Sequence, residues 1–238
     1  KKTSMKRARK FLPSNYTKCE DSNLPAASMC RLKDRYIRMK EEMQQLIEAE
    51  IEAIQNIPLD GSIEAAVDCI LQQVHQEGGK VVISGMGKAG QIGINIATTL
   101  SSTGTPAIFL HPSEAQHGDL GMLQKDDVLL LISNSGKTNE ILDLVHLSQR
   151  LYEGMPIIGL TGNPDGELSE YCDITVCTGS PKEVCPLGLT PTTSTTVMTV
   201  VGDLIVVQTM KAIEFTKEEY AKRHHSGYLG KKAKNEES

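Results

Sequence analysis

Residues 128–140 read VLLLISNSGKTNE, five consecutive apolar residues followed by a polar segment rich in hydroxyl groups. The apolar run is typical of a strand buried on both faces of a sheet. Residues 139–152 then carry apolar side chains at helical spacing, so the polar segment is predicted to join a strand to a helix. A loop in this position presents free backbone N–H groups at the positive end of a helix, which suits a phosphate dianion.

The same strand-and-helix unit repeats along the chain. Strands that are apolar on both faces alternate with helices, and this pattern indicates a parallel sheet covered on both sides. The predicted fold class is therefore α/β, a three-layer arrangement with a five-stranded parallel sheet, preceded by N-terminal helices. The predicted strands are 80–84, 107–110, 128–132, 156–160 and 173–177, and the predicted helices are 31–57, 62–77, 89–102, 139–152, 166–171, 192–212 and 216–222.

The helix predicted over 31–57 carries a long apolar stripe on one face. Such a stripe packs on its own domain or forms a partner surface, and we expect a combination of both, a helix buried in a homo-oligomer. The stripe consists of Tyr36, Met39, Met43, Leu46, Ile47, Ile51 and Ile54.

Composition limits the classes of protein that the chain can belong to. It has 238 residues, 39% of them hydrophobic, and a formal charge of −5. No apolar run approaches the roughly 18–20 residues of a membrane span, and the mildly acidic charge does not indicate nucleic-acid binding. Residues 1–30 are basic and aperiodic, so we expect a flexible arm there, one folded domain at 31–232 beginning near Met29, and a polar tail at 233–238.

The six cysteines are spaced without any C-x-x-C pair, so a structural zinc site is not expected. Their apolar neighbours favour reduced, buried thiols. Reduced thiols, together with the lack of an apolar segment after the basic start, predict a cytoplasmic protein.

Residues 85–90 read GMGKAG and fit the pattern G-x-G-x-x-G. A nicotinamide site would need an acid at the tip of the second strand, but that strand ends in Phe109-Leu110-His111-Pro112. A P-loop would need Ser or Thr after the lysine, where this chain has Ala89. What remains is a tight strand-to-helix turn that directs Lys88 toward the carboxyl ends of the strands.

The segment after the central strand is the phosphate-loop candidate. Ser133, Ser135 and Thr138 supply three hydroxyl groups, and Ser84 at the end of the first strand can add a fourth. Glu140 falls in the first turn of the following helix, where the helix dipole favours a carboxylate with or without a function.

Residues 111–119, HPSEAQHGD, concentrate two imidazoles and two carboxylates. The spacing matches no strong metal-ligand pattern, so no metal is expected, and His111 remains a weak candidate. A polar wall of a substrate pocket that includes His117 is the favoured interpretation.

Two further segments hold candidate acid–base groups. Residues 182–196, KEVCPLGLTPTTSTT, contain Glu183, which is followed by a loop stiffened by Pro and Gly at the carboxyl edge of the sheet. Cys185 in that loop is a nucleophile only if its thiol ionises, and a structural role is the default. His224 and His225 form either a surface pair or a proton-transfer group above the pocket.

Several of these segments resemble the sugar isomerase (SIS) domain family, most of all the arabinose-5-phosphate isomerases of Kdo synthesis. The resemblance covers about residues 35–232. It rests on SGMGK at 84–88, TGTP at 103–106, HPSEAQHGDLGM at 111–122, SNSG at 133–136, CPLGLTPT at 185–192 and Leu229-Gly230.

The resemblance implies a flavodoxin-like fold, a homotetramer with shared active sites and no cofactor. It also implies interconversion of ribulose 5-phosphate and arabinose 5-phosphate through an enediol, for lipopolysaccharide or capsule assembly. Glu183 or His224 would be the carbon base, Lys88 would stabilise the enediolate, and Glu140 would act on the sugar oxygens. The phosphate- and substrate-binding residues would be Ser84, Gly85, His117, Ser133, Asn134, Ser135 and Thr138.

This chain departs from the family pattern at a few positions. Lys137 stands where the family has Glu, Ala89 replaces a common Ser, and residues 225–227 replace Pro-Gly-Gly. We expect the isomerase domain alone, without the CBS pair that many relatives carry. Two other functions stay open: an isomerase of another phosphosugar, and a non-catalytic regulator that binds a phosphosugar or nucleotide sugar.

Overall fold

The structure, a computed structural model, describes residues 26–225, with side chains from residue 34 onward. The chain divides into two compact units, 1–47 and 48–238. The boundary falls within the first helix, α1 (Ala26–Gln55), which begins before the predicted start at residue 31. The predicted arm up to residue 25, the tail and the Leu229-Gly230 motif lie outside the described residues.

The second unit contains a single sheet whose strands all pair in parallel, in the order β2-β1-β3-β4-β5. This order is that of the flavodoxin-like fold. The α/β fold with five parallel strands is therefore confirmed. The strands are β1 (Val81–Gly85), β2 (Ala107–Phe109), β3 (Val128–Ile132), β4 (Ile157–Thr161) and β5 (Ile174–Cys177).

Helices cover both faces of the sheet. The first of them, α2 (Ser62–Ile70), continues as a π-helical turn (Leu71–Gln76) and precedes β1. The connections between successive strands, which a parallel sheet requires, contain α3 (Gly87–Ser102), α4 (Pro112–Ala115), α5 (Asn139–Leu151) and α6 (Glu167–Glu170). After β5 come α7 (Thr193–Ala212) and α8 (Lys217–Arg223).

The central strand β3 shows how the two layers are built. Its five side chains are fully buried, and because successive residues of a strand point to opposite faces, they divide between two cores. Leu130 and Ile132 join a core formed with α2, α3 and α7, whereas Leu129 and Leu131 join a core formed with α4, α5 and α6. This three-layer arrangement explains the uninterrupted apolar run at 128–132.

Residues 111–119, which we interpreted as a polar wall, lie in a segment of two short helices that extends to residue 122. Pro112 occupies the first turn of α4, where its missing N–H costs no hydrogen bond, and a 3-10 turn (Asp119–Met122) follows. The segment therefore consists of helical turns, and Ala115 is buried in the core formed with α5 and α6.

Within residues 26–225, no single helix is long and apolar enough to cross a membrane. In this part of the chain, one pair of helices, α7 and α8, satisfies the criterion of length and composition together, but the pair is bent by 117°.

Candidate active site

A cavity of about 240 Å³ lies at the carboxyl ends of β1 and β3. The sheet order changes direction between these two strands, and parallel α/β sheets bind ligands at that point. The β1–α3 turn contributes Lys88, the loop after β3 contributes Ser133, Ser135 and Thr138, and the start of α7 contributes Ser194. The structure thus brings the predicted lysine and the predicted hydroxyl loop to one place.

The β1–α3 turn is tight because strand and helix backbones touch. A Cβ atom on Gly90 would lie 2.6 Å from the carbonyl oxygen of Gly85, so only glycine fits. Since α3 starts immediately at Gly87, its first N–H groups lie beside the cavity, and no side chain caps them. Gly85 therefore shapes the site through its backbone.

The loop after β3 is ordered by its own hydroxyl groups. The Oγ of Ser133 and the Oγ1 of Thr138 lie 2.8 Å apart, and the N–H of Lys137 donates to the Oγ of Ser135 at 3.2 Å. Gly136 has a φ of +63°, a left-handed conformation that favours glycine. No side chain caps α5, which begins directly after this loop. Two uncapped helix starts thus border the cavity, a favourable place for an anion.

A second loop, after β4, supports the first from behind. Its Asn163 Nδ2 donates to the carbonyl of Ser135 at 3.0 Å, and the N–H of Gly162 donates to the carbonyl of Asn134 at 3.1 Å. The N–H of Leu168 donates to Gly136 at 2.9 Å. Sequence reasoning missed these supporting residues, although the turn-forming segment TGNPDG at 161–166 was a signal for a loop at the same sheet edge.

Lys88 is exposed on the cavity wall. The ion pairs of described side chains use Lys80, Lys222 and Arg223, and none of residues 34–225 pairs with Lys88. Its ammonium group is therefore available to an anionic ligand.

Glu183 is held at the start of α7 and does not line the cavity. One carboxylate oxygen accepts from the N–H and the Oγ1 of Thr192, at 2.7 and 2.8 Å, and from the N–H of Ser194 at 3.3 Å. The other oxygen accepts from the Oγ of Ser194, which does line the cavity. The carboxylate thereby caps α7, whose dipole favours negative charge at this end.

These contacts set the protonation state of Glu183. Burial acts to raise its pKa, but the hydrogen bonds from Ser194 and Thr192 outweigh burial and hold the pKa below its usual value. The group is therefore an anion at neutral pH, and its hydrogen bonds oppose the uptake of a proton.

The remaining candidates lie apart from the cavity wall. Glu140 is half-buried in the first turn of α5, with no hydrogen bond among the described side chains. Ser84 is fully buried and donates to the carbonyl of Leu110 at 2.7 Å, so its hydroxyl is already used within the sheet. The structure does not place it in the phosphate loop.

The histidine candidates are dispersed. The ring of His224 stacks on Tyr220 with centroids 3.7 Å apart, and it does not line the cavity of its own chain. His111 and His117 are both exposed, and His111 meets Phe109 edge-on at 6.4 Å. No three metal-ligating side chains cluster within residues 34–225.

The cavity also has an apolar wall that sequence reasoning missed. Met86 follows β1, Pro191 precedes α7, and Met198 lies one turn inside α7. Such a wall beside hydroxyl groups and a lysine suits a small, polar ligand with a carbon skeleton.

The fold and the cavity together define an α/β protein with an anion-binding loop at the switch point of a parallel sheet. Residues 74–208 match the SIS domain family, and the chain belongs to that family.

Curated relatives are similar over part of their length. The chain is 51% identical to arabinose 5-phosphate isomerase KdsD of Yersinia pestis over 154 residues, which is 65% of this chain and 46% of that protein. The protein of the same name from Escherichia coli K12 is 49% identical over the same shares. The chain thus aligns with less than half the length of these relatives.

Two solved structures are similar over almost their entire length. A Bacteroides fragilis protein, described provisionally as a phosphosugar isomerase involved in capsule formation, is 60% identical with a TM-score of 0.79, covering 80% of this chain and 99% of its own. The protein c3406 of Escherichia coli CFT073, solved in complex with arabinose 5-phosphate, is 34% identical with a TM-score of 0.68, covering 84% and 100%.

Proposed function

We propose that the protein is an aldose–ketose isomerase that interconverts D-ribulose 5-phosphate and D-arabinose 5-phosphate. The observation that carries the proposal is the cavity in which the Ser133–Thr138 loop, two uncapped helix starts and the unpaired Lys88 meet. The name of the curated KdsD relatives supports the substrate, and so does the arabinose 5-phosphate complex of the Escherichia coli structure.

The loop would bind the phosphate, which is remote from the reacting carbons. Binding energy at that end orients the sugar and can be used to lower the barrier at C1 and C2. After ring opening, a base removes the proton from C2 of the aldose, and the electrons move to the aldehyde oxygen, giving an enediolate whose O1 takes up a proton to form the enediol. Return of a proton to C1, with loss of the proton on O2, gives the ketose.

The contacts described above favour particular roles in this sequence. Lys88 would stabilise negative charge on the enediolate oxygen, and Glu140 would exchange protons with the sugar oxygens. Glu183 is a poor carbon base because its hydrogen bonds stabilise the carboxylate. We therefore assign the role of carbon base to His224 of a neighbouring subunit. Glu183 would instead fix the geometry of the start of α7 and provide a negative charge there.

A homotetramer with shared active sites fits this assignment. From residue 34 onward, where side chains are described, seven large apolar side chains of α1 are exposed in the single chain, and a contiguous apolar helix face is typical of an interface. They are Tyr36, Ile37, Met39, Met43, Leu46, Ile47 and Ile51.

The biological role would follow from the product. We place the reaction in the cytoplasm, where arabinose 5-phosphate would supply Kdo for lipopolysaccharide or capsule assembly. The description of the Bacteroides fragilis relative supports the capsule branch.

Incubation of the purified protein with ribulose 5-phosphate, followed by NMR, tests the proposal. We expect the anomeric signals of arabinose 5-phosphate to appear, and a Lys88→Met variant to form them far more slowly. If no aldose forms although the phosphosugar binds, the protein is a phosphosugar-binding regulator. If the protein converts only another aldose or ketose phosphate, the proposed substrate is wrong.

A further inference from the structure

Glu50 of α1 lies against the start of α7, far from it in sequence. Its Oε1 accepts a hydrogen bond from the Oγ1 of Thr193 at 2.9 Å. That same oxygen of Thr193, whose residue is 1% exposed, accepts from the N–H of Val184 at 3.1 Å. A chain of two hydrogen bonds therefore connects Glu50 to the backbone next to Glu183.

These two hydrogen bonds restrain the segment of residues 183–194 from a second side. Glu183 holds Thr192 and Ser194, while Thr193 between them points the other way, to Glu50 and Val184. The intervening residues 186–190 are exposed, so few other contacts restrain the segment. Ser194 and Pro191 line the cavity, and any shift of the segment moves that wall.

The other oxygen of Glu50 shows that this carboxylate contributes more to position than to stability. Its Oε2 is buried and has no hydrogen-bond partner within the described part of the chain. A buried carboxylate oxygen without a donor is unfavourable to folding, which offsets the gain from the bond to Thr193. Removing the carboxylate should therefore speed hydrogen exchange in the segment while lowering the melting temperature little.

We propose that Glu50 is a positioning residue of the isomerase site, which acts through Thr193 to fix the wall formed by residues 183–194. The proposal rests on the proposed function for its effect on turnover, but its effect on the segment is independent of the substrate.

Hydrogen exchange and steady-state kinetics of the full chain test this role. In Glu50→Ala, amides of residues 184–192 should exchange faster, kcat should fall about tenfold to hundredfold, and KM should change little, because displaced groups impair orientation rather than phosphate binding. Glu50→Gln keeps the acceptor oxygen and should restore both quantities. Glu52→Ala, an exposed residue on the same helix, is the matched control and should resemble the wild type.

A double-mutant cycle distinguishes the loss of these hydrogen bonds from a general loss of structure. Thr193→Val removes the hydroxyl at constant shape and with it the bonds to both Glu50 and Val184. Adding Glu50→Ala to Thr193→Val should therefore cause no further loss, because Glu50 acts through that hydroxyl. Additive losses, unchanged exchange in Glu50→Ala, or failure of Glu50→Gln to restore exchange would each overturn the proposal. If the wild type does not isomerise ribulose 5-phosphate but the exchange pattern holds, the proposed function fails and the positioning by Glu50 stands.

Discussion

Glu183 and Glu140, the two acidic candidates for the site, differ in their hydrogen bonds. Glu183 receives bonds from both Thr192 and Ser194, whereas Glu140 has none among the described side chains. A carboxylate that is already stabilised resists protonation, and one without partners keeps its oxygens available to a ligand. If the proposed function is correct, the two glutamates have different tasks, fixed charge for Glu183 and contact with the sugar oxygens for Glu140.

The pH dependence of stability should report the bonds of Glu183. Because its folded pKa lies below the usual 4.5, its contribution is present above that pH and is lost as pH falls through the folded pKa. Glu183→Gln places an amide beside the donors and should lower the free energy of unfolding at neutral pH by about 1–3 kcal/mol. Urea denaturation at several pH values checks this: the difference between the two proteins should shrink in acid. An equal difference at every pH would contradict it.

The free thiols should differ in reactivity. Hydrogen bonds from Thr190, first its side chain and then its N–H, lower the pKa of Cys185 to about 6, whereas burial raises the pKa of Cys172 to about 12. The thiolate is the reactive form. At pH 7, iodoacetamide should therefore alkylate Cys185 well before Cys172, as measured by peptide mass spectrometry. Equal labelling in the folded protein would refute the difference.

At the scale of the elements, loops rather than strands carry the site. The Ser133–Thr138 loop is supported by the loop after β4, and the two meet closely at glycines. A Cβ atom on Gly136 would approach the Cα of Gly166 to 3.1 Å. Backbone shape thus presents the hydroxyl groups, so a change in that shape should affect binding before folding.

Gly136→Ala tests this dependence, and Gly154→Ala is its matched control. Both positions have positive φ, +63° and +79°, but nothing lies within 4 Å of a Cβ on Gly154. Each variant should lose about 1–2 kcal/mol of stability from the left-handed backbone. Only Gly136→Ala should also weaken binding of inorganic phosphate, measured by calorimetry. Equal phosphate affinity in both variants would show that the loop tolerates the shift.

The sequence predicted the elements well because their signals are local. The run at 128–132 specifies a strand buried on both faces, and the strand end followed by Ser133 and Thr138 specifies a loop at the correct edge. The hydrogen-bond partners of individual polar side chains could not be predicted, because these partners are distant in sequence. Ser84 donates to Leu110, and Thr193 donates to Glu50. Periodicity says which face a residue occupies, but not which atom it contacts.

At the scale of the whole molecule, the position of His224 determines how the proposed site would be assembled. It stacks on Tyr220 and does not reach the cavity of its own chain. If a neighbouring subunit supplies the base, each active site is complete only after the subunits assemble. Lys88 and His224 would then belong to different chains of one site.

Subunit mixing tests this arrangement. Lys88→Met and His224→Ala should each lower kcat by about 10²- to 10⁴-fold, the range for a positioned acid–base group. When the two variants are denatured together and refolded, hybrid sites with Lys88 from one chain and His224 from the other should regain activity. Each variant refolded alone is the control. Mixtures as inactive as the controls would show that the site is not shared.

The two uncapped helix starts beside Lys88 have a consequence for assay conditions. Sulfate or phosphate from a buffer would occupy the same positions as the sugar phosphate, so turnover measured in such buffers should be competitively depressed. The same anions should raise the melting temperature with a logarithmic dependence on their concentration. Thermal scans in chloride and sulfate at matched ionic strength measure this effect. Gly154→Ala, which leaves the phosphate loop unchanged, should keep this effect, and Gly136→Ala, which displaces the loop, should lose most of it.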